Sequence, residues 1–193
     1  MLFLLLYIVY KEITYGNVKI KLKSMEKKCM NTILESFYDL KEILSSFNNL
    51  HEKYNWLLTD LDGSFPDKYL DYFIDYRIYN NGMNGNTFWI TGKKLTELAN
   101  KEDIYFIWGI FSAFNKKETI NLDMLKEEPY ADGNPNFWIE TPAIQHPKAI
   151  TELVFWDSSL ILLLSKDKEM SKNLRNKFKK WKDLNEYNKK QNP

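Results

Sequence analysis

The sequence predicts an α+β domain: a mainly antiparallel sheet with helices packed on one side, ending in a hairpin followed by a basic amphipathic helix. Three observations lead there. Runs of strand and helix character are interleaved along the 193 residues, but the helical runs are too few for a regular βαβ series. Two apolar runs, Ile150–Trp156 and Leu160–Leu164, flank Asp157-Ser158-Ser159 in the manner of a hairpin. Composition is 44% hydrophobic and 16% aromatic, enough for a packed core and too apolar for a disordered chain.

The elements follow in order. Thr32 with Glu35 three positions on forms a capping box, and Ile33, Phe37, Leu40, Leu44 and Phe47 recur at helical spacing, which predicts a helix over 32–47. Tyr54–Thr59 reads as a short strand closed by Asp60-Leu61-Asp62-Gly63. Residues 66–77 read as a helix with Leu70, Phe73 and Ile74 inward, or else as a strand through Tyr72–Tyr79. Asn80–Gly85 is a turn, Asn86–Ile90 a strand, and Thr91 caps a helix over 92–100. Asp103–Phe114 predicts a buried strand, 115–135 a loop with a helical turn at 121–127, and Phe137–Glu140 a short strand. After the hairpin, Asp167–Trp181 predicts a helix carrying Met170, Leu174, Phe178 and Trp181 on one face. One domain over 29–183 results, with a basic, apolar extension at 1–28 and a polar tail at 184–193.

The extension begins with an apolar run, Leu2–Tyr10, that spans about 14 Å as a helix, roughly half a bilayer core. It is too short to cross a membrane and lacks the flanks of a signal peptide. It is a strand, a weak anchor, or sequence upstream of a native start at Met25 or Met30. The single Cys29 excludes an internal disulfide and fits a reducing, cytoplasmic compartment. With only His51 and His146 beside it, a zinc site of the usual spacing cannot be built, and no cofactor motif is present.

Charge is divided along the chain. Residues 29–165 carry 11 Lys+Arg against 20 Asp+Glu, a net of −9, while both ends are basic and the total is +1. The acidic body argues against nucleic acid as a partner and for a basic protein. Asp67, Asp71 and Asp75 recur at intervals of four, so together with Asp60 and Asp62 they are the candidate protein-binding residues. A plain solvated face explains the same spacing. The basic segment 166–182 has eight Lys/Arg, and packing of its apolar face on the domain is its simplest use. The six tryptophans read mostly as core.

One motif carries chemistry. Trp56-Leu57-Leu58-Thr59-Asp60-Leu61-Asp62-Gly63-Ser64 resembles the first motif of haloacid-dehalogenase-type phosphotransferases, an apolar strand followed by Asp-x-Asp-Gly-Thr/Ser. That resemblance implies a magnesium-dependent phosphatase with Asp60 as nucleophile and Asp62 as acid/base. The paired acidic motif and repeated βα layout that the family also needs are missing. Ser158 and Ser159 beside Asp157 invite a nucleophile reading with His146, but a hairpin turn accounts for them better.

From Phe88-Trp89-Ile90-Thr91-Gly92-Lys93-Lys94-Leu95-Thr96-Glu97-Leu98 through Ile104–Phe114 to Glu152–Asp167, the chain looks like small bacterial α+β proteins. Its layout is similar to that of immunity proteins of bacterial toxin systems. The resemblance covers the last half, rests on pattern, and transfers no functional residue. It implies a non-enzymatic, protein-binding domain whose acidic face masks a basic toxin or effector. The phosphatase and a structural or regulatory domain are the alternatives.

Overall fold

The computed structural model describes residues 13–15, 18–20, 30–63, 67–78, 86–125 and 127–191. The apolar run at 2–10, Cys29 and the Asn80–Gly85 turn lie outside them. Ile13–Tyr15 (β1) and Val18–Ile20 (β2) pair in a separate two-stranded sheet. The main sheet has eight strands: Thr32–Leu34 (β3), Tyr54–Gly63 (β4), Phe73–Arg77 (β5), Thr87–Thr91 (β6), Phe106–Asn115 (β7), Thr151–Trp156 (β8), Leu160–Ser165 (β9) and Lys182–Asp183 (β10). Their order is β10-β3-β9-β8-β7-β4-β6-β5, and every neighbouring pair is antiparallel. The helices are Leu40–Ser46 (α1), Gly92–Lys101 (α2), Lys168–Lys177 (α3) and Leu184–Gln191 (α4). The α+β class, the mainly antiparallel sheet and the C-terminal hairpin followed by a basic helix are what the sequence predicts.

Central strands are buried on both faces, which is why they read as continuous apolar runs rather than as alternation. On β8 and β9, Leu153, Phe155, Ile161 and Leu163 meet α1 and α3 residues such as Ile43, Leu44, Met170 and Leu174 in one core. Val154, Leu162 and Leu164 point the other way, against Leu184 of α4 and Phe137 of the 116–150 excursion. The first three helices thus cover one face, while α4 and that long excursion cover the other. Each such fully buried side chain contributes about 1.5–3 kcal/mol by removal from water.

Helix starts follow local chemistry. Thr91 accepts from Lys94 N at 3.2 Å, capping α2 as its position before the periodic run predicts. Asp167 caps α3 by accepting from Glu169 N and Met170 N, and Tyr54 on β4 donates to its other oxygen at 2.8 Å.

Four expectations are corrected. The predicted helix over 32–47 splits. Thr32–Leu34 is strand β3, and only Leu40–Ser46 is helical. Thr32 Oγ1 accepts from Arg175 Nε at 2.8 Å instead of capping, and Asp39 takes the cap by accepting from Glu42 N at 2.6 Å. Of the proposed face, Leu40, Leu44 and Phe47 are buried while Phe37 is exposed. The predicted strand Phe137–Glu140 is a 3-10 turn, Pro135–Phe137, followed by bends. The carbonyls of Phe137 and Ile139 accept from Asn188 Nδ2 rather than from a ladder. Trp181 lies beyond α3, which ends at Lys177, and packs under the Arg175 guanidinium at 4.1 Å. Residues 184–191, expected as a polar tail, form α4 because Leu184 and Asn188 are buried beneath it. At 66–77 both readings hold in part: a 3-10 turn over Asp67–Tyr72 runs into β5.

Candidate functional site

The Asp60–Gly63 segment continues β4 through an irregularity instead of closing it. Asp60 adopts a left-handed φ of 51°, which Asp tolerates better than most residues because its short side chain can bond locally. Its Oδ2 accepts from the backbone amides of Ala131 at 2.6 Å and Asp132 at 2.8 Å, tying the long excursion to the sheet. Leu61 is buried in the helix-side core. Asp62 stands opposite Trp108 on β7. Gly63 has φ +157°, and a Cβ there would lie 2.1 Å from the Tyr105 carbonyl oxygen, so the close approach of the chains requires glycine. Each position of the motif thus has a structural use. β4 also runs antiparallel to both neighbours, unlike the parallel layout that the phosphotransferase resemblance implies.

The five aspartates are not one cluster. Asp75 is level with Leu57 through Trp89, which places Asp62 about 15 Å further along the sheet. Asp71 sits before the other end of β5, in the 3-10 turn. Asp67 opens that turn, and its side chain lies outside the described residues. Asp71 and Asp75 are exposed, whereas Asp60 and Asp62 are half-buried.

Asp75 lies on the outermost strand among the described residues. Among the described residues β5 pairs with β6 alone. Ile74 and Tyr76 on it and Ile78 just after it are 54, 45 and 43% exposed, a concentration of large apolar side chains at this edge. Ile74, expected inward from helical spacing, points out because this stretch is strand with an irregularity at that residue. The period-two recurrence 74, 76, 78 is the signal that the helical reading passed over. The Asp75 carboxylate accepts from Tyr76 N at 2.9 Å, occupying one amide of the edge. Towards the other end of the sheet, α3 carries Lys168, Lys172, Arg175 and Lys177 against Glu169.

A cavity of about 660 Å³ lies between Met124, Leu125 and Glu127–Tyr130 on one side and Gln145–Pro147 on the other. Arg77 of β5 reaches its wall, donating to the Leu122 carbonyl at 2.7 Å and pairing with Glu128. The other wall is set by Glu152, a carboxylate with no exposure in the middle of the sheet. It accepts from the amides of Gln145 at 2.8 Å and His146 at 3.0 Å and from Ser112 Oγ at 3.3 Å. Burial pushes its pKa up to about 7, against the pull of those donors. A lone Glu inside an apolar strand is the sequence signal for it. His146 Nδ1 accepts from Lys148 N, and burial followed by the Lys148 charge lowers the ring's pKa.

His51 is buried with Nε2 2.7 Å from Thr96 Oγ1, and burial lowers its pKa to about 4. Among the described residues no three His, Cys, Asp or Glu side chains are grouped to hold a metal ion. Ser158 and Ser159 belong to the β8–β9 turn, where Asp157 and Ser158 have positive φ, at the far end of β8 from His146. No described helix is long and apolar enough to cross a membrane. The chain matches no protein family, no curated protein and no solved structure.

Proposed function

We propose that this chain is a non-enzymatic protein-binding domain that receives an extended, basic segment of a partner along β5. The β5 edge carries the reading: among the described residues β5 pairs with β6 alone, Ile74 and Tyr76 on it and Ile78 just after it are exposed, and Asp75 lies between them. Strand addition draws affinity from main-chain hydrogen bonds and selectivity from the side chains beside them. Natural edges are blunted against self-pairing by charge, and Asp75 does so here, since a second copy would set aspartates against aspartates. A segment bearing Lys or Arg meets the same charges favourably. Masking of a basic toxin, the immunity-type role, is the biological form of this activity, and the −9 body speeds encounter with such a partner.

The test is a titration with an alternating arginine–valine hexapeptide followed by fluorescence anisotropy. Asp75→Lys is expected to weaken binding about tenfold at low salt, and raised salt to shrink the difference. Equal affinity of wild type and Asp75→Lys at low salt would overturn the reading.

A further inference from the structure

We propose that residues 145–147 form a pH-operated lid between the cavity and the interior of the sheet, with the Glu152 carboxylate as the group that operates it. This device is independent of the docking edge. Glu152 stands on β8 between Ser112 of β7 and Leu164 of β9, with no exposure. Its Oε2 accepts from Gln145 N, and its Oε1 accepts from His146 N and Ser112 Oγ. Gln145, His146 and Pro147 also line the cavity. The carboxylate therefore lies one chain thickness behind the cavity, and residues that bond to it are its cover. Gln145 carries the connection further. Its side chain accepts from Tyr130 N and Asn134 Nδ2 and donates to Tyr130 O, so the lid braces the facing wall. That wall has its own ties to the sheet, through Thr59 to the Pro129 carbonyl and through Asp60 to the amides of Ala131 and Asp132.

Ionisation loosens the lid. Burial raises the Glu152 pKa from 4.5 to about 7, outweighing the two amides, Ser112 and the Lys166 charge, which lower it. A state in which water reaches the carboxylate has the lower pKa and is favoured by ionisation. The lid is thus closed over the protonated group and opens more readily as pH rises from about 4.5 to 7. The cavity has room for the water that an ionised carboxylate needs. On either side Glu152 is flanked by ladders, β7 and β9, whereas 145–147 is bends and turn and yields first. Facing it from those strands, Ser112 and Leu164 are uncharged. Lys166, just beyond β9, has its Nζ on the Ala149 carbonyl at 2.9 Å. The His146 ring has its pKa lowered by burial and then by Lys148, which itself pairs with Glu118 at 3.0 Å. Across the cavity stand Glu127 and the Glu128–Arg77 pair. Among the described residues no Lys or Arg forms an ion pair with Glu152, so water is the partner its charge lacks.

Amide hydrogen exchange by NMR tests this on the whole chain between pH 5 and pH 8, each rate being divided by its intrinsic value. Full hydration of Glu152 in the open state would shift the opening equilibrium about seventyfold over that range. Protection of the Gln145 and His146 amides is therefore expected to fall about tenfold or more. The fall should be insensitive to low urea, the mark of a local opening. In Glu152→Gln, which does not titrate, protection should be equal at both pH values. The Glu152 carboxyl carbon of the wild type should titrate near pH 7 with the same midpoint, a readout that needs no variant. Flat protection in the wild type overturns the lid. So does a fall that persists in Glu152→Gln, which would assign it to His146, and so does a carboxyl carbon that titrates near 4.5. Exchange at Gln145 and His146 with the urea dependence of Leu153 on β8 also overturns it, because the segment would then open only with the whole domain.

Discussion

Replacing Asp60 distinguishes a structural carboxylate from a reactive one. Two hydrogen bonds of 2.6 and 2.8 Å run from Ala131 N and Asp132 N to the same oxygen, Oδ2. Hydrogen bonds contribute about 0.5–1.5 kcal/mol each and somewhat more to a charged group, and the half-buried setting brings each of these to about 1 kcal/mol, about 2 kcal/mol together. Alanine also holds the left-handed backbone less well than aspartate, by about 1 kcal/mol. Asp60→Ala should therefore cost about 3 kcal/mol. Asp60→Asn keeps a carbonyl oxygen for both donors and tolerates the backbone, so its cost should be about 1 kcal/mol. For a chain of this length 1 kcal/mol moves the melting temperature by about 2–4 °C, so the alanine variant should melt about 6–12 °C lower. Urea unfolding followed by tryptophan fluorescence reads both variants. Alanine and asparagine variants within about 0.5 kcal/mol of wild type would refute the assignment of Asp60 as the tie between sheet and excursion.

Glu152→Gln tests the buried carboxylate. Its folded pKa of about 7 is above the ordinary 4.5, so the folded chain holds a proton that the unfolded chain releases, and stability falls as pH rises from about 4.5 to 7. Glutamine does not titrate, so wild type should lose up to about 3 kcal/mol relative to Glu152→Gln between pH 5 and pH 8 in urea unfolding. Parallel pH profiles would contradict the burial account. Gly63→Ala would drive a Cβ to 2.1 Å from Tyr105 O and 2.8 Å from Phe106 Cα, both backbone atoms that cannot swing aside. A loss of about 3 kcal/mol or more is expected in thermal unfolding, and an unchanged melting temperature would contradict the close approach.

The fold was legible where one local signal had no competitor. Thr91 before a periodic run gave α2, and the apolar runs around Asp157 gave β8 and β9. It was illegible where long-range contacts reassigned local signals. Thr32 and Glu35 have the spacing of a capping box, yet pairing of β3 with β9 and β10 and the reach of Arg175 to Thr32 make the segment a strand. Tertiary pairing outweighs helix preference, which amounts to under about 1 kcal/mol per residue. For the candidate site, the sequence pointed to the acidic stretch but not to its use. Asp60 binds backbone amides 71 and 72 residues away, a partnership that no local pattern encodes. The cavity is likewise assembled from two segments that Gln145 and Asn134 tie together through Tyr130.

The most direct test of the docking edge is hydrogen exchange of the β5 amides with and without the arginine–valine hexapeptide at low salt. Strand addition predicts slowed exchange at Ile74, Tyr76 and Ile78, lost again at raised salt, with the amides of α3 and α4 unchanged. Unchanged exchange along β5 while the peptide is bound would place the interaction elsewhere and contradict the account.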